Sequence, residues 1–131
     1  MAYGSALVDT IQSSTTGTPP QFNDGSGAQI GTLCRAWVTY KGTSTQTILA
    51  SFNVSSVTYN GAGNYTYNFT TSLADTNYAV VSSQGVTNGS NGWSQNYIGT
   101  RNTGNVTVRI GDTSGGGTAA DAAYAAVTIF R

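Results

Sequence analysis

Apolar and polar residues alternate along several short stretches of this chain, which is the pattern of strands that bury one face. The stretch CRAWVTYK (residues 34–41) places every second residue on one face, and YTYNF (residues 65–69) repeats the pattern with aromatic side chains. Each stretch is therefore predicted to be a half-buried strand. The predicted inward-facing residues are Cys34, Ala36, Val38 and Tyr40 in the first stretch and Tyr65, Tyr67 and Phe69 in the second.

Between residues 47 and 59 the alternation changes phase once. Ile48, Ala50 and Phe52 are aligned, Val54 keeps their phase, and Val57 is displaced by one position. A slip of one residue turns every following side chain to the opposite face unless the backbone bulges or bends. We therefore expect either a bulge here or a corner at which the strand moves from one sheet to another.

Four more strands complete a pattern typical of an all-β fold. They are predicted at residues 77–84, 92–101, 105–110 and 122–130. Clusters of turn-forming residues separate them, and the glycines of YNGAGNY predict a hairpin loop. An Ala-rich segment, 119–126, has the composition of a helical turn, but it runs without a cap into an apolar stretch, so a strand is favoured. About eight short antiparallel strands at this spacing predict a β-sandwich or jelly roll.

Residues 1–33 lack this regularity and are predicted to form an arm, followed by a single domain at 34–131. Within the arm, ALVDTIQ (residues 6–12) alternates and predicts a short strand. Two consecutive prolines cannot donate to a strand ladder, and Asn-Asp-Gly at residues 23–25 predicts a turn. Because a long structureless loop is uncommon inside a compact domain, we expect the arm to pack on a neighbouring subunit or on another protein.

The composition narrows the class of function. Charged residues make up only 8% of the 131 residues, and the formal net charge is zero, whereas a typical share is about 25%. Nucleic-acid binding needs a clustered cationic surface, and five scattered Lys and Arg residues do not supply one. Thr, Ser, Asn and Gly make up nearly half of the chain. A neutral, charge-poor monomer tends to associate, so we expect an oligomer or a larger particle and no nucleic-acid partner.

Groups that carry out acid–base or metal chemistry are scarce. The chain has neither His nor Glu, so zinc would lack ligands and no spaced acidic loop offers a calcium site. Asp112 and Asp121 flank a glycine-rich loop and are the one candidate catalytic pair, although aspartates in turns more often cap loops. Cys34 lies in an apolar alternation, which favours a buried small residue over a reactive thiol. No metal site, no cofactor and no enzymatic activity are expected.

Neither membrane insertion nor secretion is expected. No segment approaches the roughly 18 consecutive apolar residues of a membrane span. The first residues also lack the basic and apolar regions of a secretion signal. The protein is therefore expected to fold where it is made.

One group of residues indicates ligand contact. Trp93, Tyr97 and Arg101 recur at every fourth position along one predicted strand, and Asn88 and Asn91 precede them in a glycine-rich loop. Aromatic faces stack on sugar rings, while amide and guanidinium groups bind sugar hydroxyls. These five residues are candidate glycan-binding residues. The alternative is that Trp93 and Tyr97 belong to the core or to an interface between subunits.

Two runs of the sequence resemble a module of bacteriophage tail fibres and other virion surface proteins, notably those of marine phages. They are GTLCRAWVTYKGT (residues 31–43) and ASFNVSSVTYNGAGNYTYNFTTSLADTNYAVVSS (residues 50–83). The stretch at residues 6–32 resembles the segment that usually precedes this module. The later strands resemble those of H-type lectins more loosely, and no lectin ligand residues can be assigned from that likeness.

The resemblance implies a compact β-sandwich knob, typically a homotrimer, that is displayed on the virion surface and often touches the host surface, with a host cell-surface glycan as candidate partner. It also implies synthesis in the host cytoplasm, which agrees with the missing secretion signal. No shaft of repeats precedes the knob, so the arm at residues 1–33 is expected to dock on another virion protein. The leading hypothesis is a tail-fibre or tail-tip adhesion knob. The alternatives are a capsid decoration or head-fibre protein with a structural role, and a glycan-degrading enzyme.

Overall fold

The computed structural model of the chain describes residues 7–15, 19–43, 45–85, 94–112, 118–119 and 121–131. The chain divides into two units, Met1–Leu33 and Cys34–Arg131. The strands of the described residues are, in chain order, β1 Phe22–Asn23, β2 Gln29–Gly31, β3 Cys34–Lys41, β4 Thr47–Phe52, β5 Val54–Gly61, β6 Asn64–Phe69, β7 Ala79–Gly85, β8 Ser94–Arg101, β9 Asn105–Asp112, β10 Thr118–Ala119 and β11 Tyr124–Phe130. All of their pairings are antiparallel. No helix occurs in these ranges, and the predicted all-β fold class is confirmed.

The first unit contains a short hairpin in which β1 pairs with β2. The Asp24 carboxylate closes its turn, because it accepts hydrogen bonds from the backbone N–H groups of Ser26 and Ala28, each at 2.9 Å. The Ser26 hydroxyl donates to the same carboxylate at 2.7 Å, and this bond is the main reason why the pKa of Asp24 lies below its ordinary value. The turn predicted at residues 23–25 is confirmed.

The strand predicted at residues 6–12 is not formed. Residues 7–13 belong to no strand, and the side chains of Leu7, Val8 and Ile11 are exposed. Alternation indicates which side chains would share a face, but a strand also needs a partner backbone for its N–H and C=O groups. No described segment pairs with residues 7–13, which is why the prediction is wrong.

The second unit is a sandwich of two antiparallel sheets. One sheet has the strand order β4–β3–β11–β7. The other is built around β9, which pairs with β8, β6 and β10, while β6 also pairs with β5. Neighbours in sequence pair as β3–β4, β5–β6 and β8–β9, and β11 returns to the first sheet between β3 and β7. Buried residues from both sheets form one core.

Tyrosines occupy the centre of this core. Tyr40, Tyr65 and Tyr67 are fully buried, and the Tyr40 ring meets the other two edge to face at centroid distances of 5.3 and 5.6 Å. The hydroxyls of Tyr40 and Tyr67 hydrogen-bond to each other at 2.7 Å, and the single proton of the Tyr65 hydroxyl is shared between the Gly42 carbonyl at 3.0 Å and Asp121 Oδ1 at 2.9 Å. A buried hydroxyl without a partner costs about 1–3 kcal/mol, so these bonds allow large polar-tipped rings to fill the core. The other buried residues of the core are Ala36, Val38, Val54, Phe69, Leu73, Tyr78, Val106, Val108, Ile110, Ala122, Ala125, Val127 and Ile129.

The inward faces predicted for β3 and β6 are confirmed except at the start of β3. Cys34 is only half-buried, and its thiol donates to the Ala36 carbonyl at 3.3 Å. The register of β3 against β11 shifts beside it, between Ile129 and Phe130. This bulge keeps Cys34 from the fully buried position that the alternation predicted.

The phase slip between residues 47 and 59 corresponds to both a corner and a bulge. β4 lies in one sheet and β5 in the other, and Asn53 between them adopts a φ of 55°. The register of β5 against β6 then shifts between Val54 and Ser56. With this extra residue, Val57 returns to the core face, where it packs half-buried against the buried residues.

The Ala-rich segment at residues 119–126 is partly strand where it is described, and residues 121–123 lie between two strands. Ala119 ends β10, and Tyr124 begins β11. The strand favoured for this segment is confirmed over 124–126, and no helical turn occurs in its described part.

An ion pair lies beyond the end of β11. Arg131 donates to both carboxylate oxygens of Asp75, with Nε–Oδ1 at 2.8 Å and Nη2–Oδ2 at 2.5 Å. The guanidinium hydrogen bond is the main reason why the pKa of Asp75 lies below its ordinary value. This is the one ion pair within the described ranges.

Candidate functional site

Of the five residues predicted to bind a glycan, two lie among the described residues. Trp93, Asn88 and Asn91 lie outside the described residues, whereas Tyr97 and Arg101 lie on β8 and are exposed. Tyr97 has 67% of its surface accessible. The alternative that placed Tyr97 in the core is therefore wrong, and its place in a glycan site or a subunit interface stays a prediction.

A bulge separates Tyr97 from Arg101. Tyr97 is paired with the exposed Arg109 of β9, but Arg101 is paired with the buried Val106. The register shifts between Ile98 and Arg101, so one extra residue on β8 interrupts the regular alternation that the sequence predicted. Tyr97 and Arg101 therefore do not continue one outward row, and the structure brings Tyr97 beside Arg109 instead.

Uncharged polar side chains cover the outer face of β5, β6 and β9. Its members, which we name the polar face, are Ser56, Thr58, Asn60, Thr66, Asn68 and Thr107. Asn68 Nδ2 donates to the hydroxyls of Ser56 and Thr58, each at 2.9 Å. Asn60 Nδ2 donates to the Thr66 hydroxyl at 2.8 Å, and that hydroxyl bonds with the one of Thr107 at 3.0 Å. A ligand on the polar face would have to compete with bonds that these side chains already make.

Apolar side chains remain exposed on the outer face of the opposite sheet. Phe52, Trp37, Thr128 and Val81 are paired in one row across β4, β3, β11 and β7, and Tyr124 lies further along β11. More than half of the surface of Phe52, Val81 and Tyr124 is accessible. We name Trp37, Val81 and Tyr124 the apolar face; Phe52 lies at its margin, where it also lines a pocket. The two outer faces of the sandwich therefore differ in chemistry.

A pocket of about 290 Å³ lies at the corner between β4 and β5. We name it the corner pocket; its lining residues are Arg35, Phe52, Asn53, Thr70, Thr71 and Ser72. Asn53 holds its walls together, because Nδ2 donates to the carbonyls of Arg35 and Thr71 at 3.1 and 3.0 Å. Asn53 Oδ1 accepts from the Thr71 N–H at 2.7 Å.

Several polar groups in the lining of the corner pocket have no partner among the described residues. Within the part of the chain that the structure describes, the Arg35 guanidinium forms no hydrogen bond or ion pair. The hydroxyls of Thr70, Thr71 and Ser72 also form no hydrogen bond with the described residues. Phe52 adds a half-exposed aromatic ring. The pocket thus combines a cation, three hydroxyls and an aromatic surface that are available to a ligand.

A second pocket, of about 220 Å³, lies at the β5–β6 hairpin. We name it the hairpin pocket; its lining residues are Asn60, Gly61, Ala62, Gly63, Asn64 and Arg109. Asn64 Oδ1 is buried and has no hydrogen-bond partner within the described part of the chain. The lining contains a cation but no aromatic side chain, which distinguishes it from the corner pocket.

Of the two aspartates considered for catalysis, Asp121 accepts hydrogen bonds that connect parts of the fold. Its Oδ1 accepts from the Gly63 N–H and from the Tyr65 hydroxyl, each at 2.9 Å, and its Oδ2 accepts from the Tyr59 hydroxyl at 3.3 Å. These bonds join the β5–β6 hairpin to the segment before β11. The Asp112 side chain is not among those described, so a catalytic pairing of the two stays a prediction.

The described residues contain no group of three or more His, Cys, Asp or Glu side chains that could hold a metal ion. No helix among them is long and apolar enough to span a membrane.

Comparisons with protein-family models, with curated proteins and with solved structures found no match. The resemblance of residues 31–43 and 50–83 to a tail-fibre module therefore stays a prediction. The function has to be argued from the faces and pockets of the sandwich.

Proposed function

We propose that this protein is a bacteriophage virion protein, an adhesion knob of a tail fibre or tail tip that assembles as a homotrimer and contacts a glycan on the host surface. The observation that carries the proposal is the difference between the apolar face and the polar face. A knob that packs against copies of itself and also meets a hydrated surface needs two such faces. The proposed location is the virion surface.

Self-association would remove the apolar face from water. Large contiguous apolar patches are rare on monomeric soluble proteins and are typical of interfaces. β4 and β7 also form the two edges of the sheet that carries this face, and unpaired edges invite pairing with other chains. A closed symmetric assembly covers such surfaces without forming open filaments.

The arm supplies a means of attachment. Leu7, Val8 and Ile11 are exposed, and residues 7–13 have no strand partner in the described chain. Burying an aliphatic side chain of this size contributes about 1.5–3 kcal/mol. An alternating segment of this kind can add a strand to the sheet edge of a partner. We therefore assign to the arm the contact with another virion protein.

Sedimentation of the full chain tests the assembly. We expect a trimer at micromolar concentration and a shift to monomer for Val81→Glu, because the substitution puts a charge into the apolar face. Thr58→Glu introduces the same charge on the polar face and is the matched control, which is expected to stay trimeric. A monomeric native protein, or equal dissociation of both variants, would contradict the assignment of this face.

Competition with phage adsorption tests the adhesion function. Purified protein added in excess to host cells is expected to reduce adsorption of the phage that encodes it, since both would occupy the same surface glycan. Heat-denatured protein is the control. Unchanged adsorption at saturating protein would count against adhesion.

A capsid decoration or head-fibre protein is the second candidate, and the exposed apolar residues of the arm favour it because an anchored coat protein needs such a segment. The copy number in purified virions separates the two roles. Hundreds of copies per particle would indicate the capsid, whereas a few tens or fewer would indicate the tail. Immunogold imaging of the particles gives the location directly.

A further inference from the structure

We infer that the corner pocket is a binding site for one ring of an acidic saccharide. Arg35 would bind the carboxylate, the sugar ring would lie against Phe52, and the hydroxyls of residues 70–72 would bind the sugar hydroxyls. The biological source of the ligand, a host-surface glycan, rests on the proposed function. The assignment of the pocket to an acidic saccharide rests on the groups that line it and is independent of that function.

The groups in the pocket match the groups of such a ligand. A guanidinium forms two parallel hydrogen bonds with a carboxylate, and these charge-assisted bonds are about twice as strong as neutral ones. Aromatic surfaces cover the apolar face of a ring, and hydroxyls both donate to and accept from sugar hydroxyls. Arg35, Phe52 and the three hydroxyls supply each kind of contact within one pocket.

Availability distinguishes this pocket from the other polar surfaces. On the polar face, Asn68, Thr66 and their neighbours already bond to each other. In the corner pocket, the Arg35 guanidinium and the hydroxyls of residues 70–72 have no partner among the described residues. A ligand would therefore gain hydrogen bonds here without breaking bonds within the protein.

The walls of the pocket are held in place before a ligand arrives. Asn53 connects the backbone of Arg35 on β3 to that of Thr71 in the loop after β6 through three hydrogen bonds. The Thr70 N–H adds a bond to the Asn53 carbonyl at 3.2 Å. Fixed walls reduce the ordering that binding requires, which raises affinity for a small ligand.

The size of the pocket limits the ligand. Its volume of about 290 Å³ lies at the lower end of the roughly 300–1,000 Å³ of small-molecule sites, so it accommodates one ring rather than an oligosaccharide. A single contact of this kind is weak. In a trimer, linked sites would raise the overall affinity by about 10²–10⁴.

Titration of the full chain with D-glucuronate, observed by NMR, tests the inference. We expect saturable binding in the millimolar range, with shifts at residues 35, 52 and 70–72. D-glucose and acetate each carry only half of the recognised chemistry and are expected to bind about tenfold more weakly or not at all. Acetate binding as tight as glucuronate binding would show a simple anion site and overturn the saccharide assignment.

Two variants and one control connect the binding to the pocket. Arg35→Gln keeps a polar side chain but removes the charge, and we expect it to weaken glucuronate binding about tenfold or more. Phe52→Leu removes the ring and is expected to weaken binding of the same probe. Arg109→Gln, in the hairpin pocket, is the matched control and should bind as the wild type does. Unchanged binding by Arg35→Gln, or a loss with Arg109→Gln instead, would overturn the assignment.

The site and the proposed function fail separately. If glucuronate binds through Arg35 but the protein is absent from virions, the site stands and the virion role fails. If wild-type protein and the Arg35→Gln variant block phage adsorption equally well, adhesion stands and the corner pocket is not its glycan site.

Discussion

Asn53 determines the direction of the chain where β4 leaves one sheet and β5 enters the other. Its φ of 55° lies in the left-handed region, which Asn tolerates better than most other residues with a side chain. Its amide also makes three hydrogen bonds to the backbone of Arg35 and Thr71. A single residue thus fixes both the corner of the fold and the walls of the corner pocket.

Asn53→Gly and Asn53→Ala separate these two contributions. Both variants lose the amide hydrogen bonds, which contribute about 0.5–1.5 kcal/mol each. Only the Ala variant also places an unsuited residue at a positive φ, which costs about 1–2 kcal/mol more. We expect urea unfolding to rank the proteins as wild type, then Gly, then Ala. Equal stability of the two variants would show that the positive φ at this position does not affect the free energy of unfolding.

The buried tyrosines make stability depend on pH at the alkaline end. Burial is the main cause that raises the pKa of Tyr40, Tyr65 and Tyr67 above its ordinary 10.0. The unfolded chain therefore releases these protons at a lower pH than the folded chain, and stability falls as the pH rises above that value. Below it, the contribution of these groups is complete.

We expect the urea midpoint to stay level from neutral pH to about pH 9 and to fall steeply above about pH 10. Tyr40→Phe removes one of the three groups and should make the alkaline decline shallower. A midpoint that stays constant through the ionisation of free tyrosine would contradict the burial of these hydroxyls.

Among the elements, period-two alternation predicted the strands whose partners bury one face, and it failed where pairing decides the outcome. β3 and β6 carry their core residues at every second position, so their faces could be read directly from the sequence. Residues 7–13 alternate equally well but have no partner in the described chain. The bulge in β8 also depends on its register against β9, which no local pattern contains.

The candidate site could not be predicted from the sequence either, because it also depends on strand pairing. The spacing of Tyr97 and Arg101 is visible in the chain, but the bulge between them is not. The corner pocket joins Arg35 and Phe52 of neighbouring strands to a loop at residues 70–72, and these parts meet only after folding. The phase slip around Asn53 was the one local signal near the pocket.

The connection between β3 and β11 depends on a close approach at Gly42. Its N–H donates to the Ala122 carbonyl at 3.0 Å, and a Cβ on Gly42 would lie 2.7 Å from that oxygen and 2.8 Å from the Tyr65 hydroxyl. Gly42→Ala is expected to lower the free energy of unfolding by about 1–3 kcal/mol, because the core has no room for it. Thermal unfolding measures the change.

Gly104→Ala is the matched control for this prediction. A Cβ there would meet only the Ser72 hydroxyl at 3.7 Å, which is an ordinary contact, so stability should stay close to that of the wild type. A Gly42→Ala protein as stable as the Gly104→Ala protein would show that the two segments do not approach each other so closely.

At the scale of the whole molecule, the core of the described residues lies in the second unit. Its buried residues run from Ala36 to Ile129, and none of the described arm residues is among them. A truncated chain that begins at Cys34 is therefore expected to unfold cooperatively at the same urea midpoint as the full chain, and the proposed function predicts that it fails to enter virions. A truncated chain without a cooperative transition would place the arm within the core.

The pair of Arg131 and Asp75 is the one ion pair that the described residues form, and both side chains are partly accessible to water. Dissolved salt weakens attraction between exposed charges over a distance of about 8 Å at physiological ionic strength. In this protein salt has few charge pairs to weaken, because packed rings, aliphatic groups and hydrogen bonds between uncharged groups stabilise the fold. The free energy of unfolding should therefore depend little on the concentration of dissolved salt.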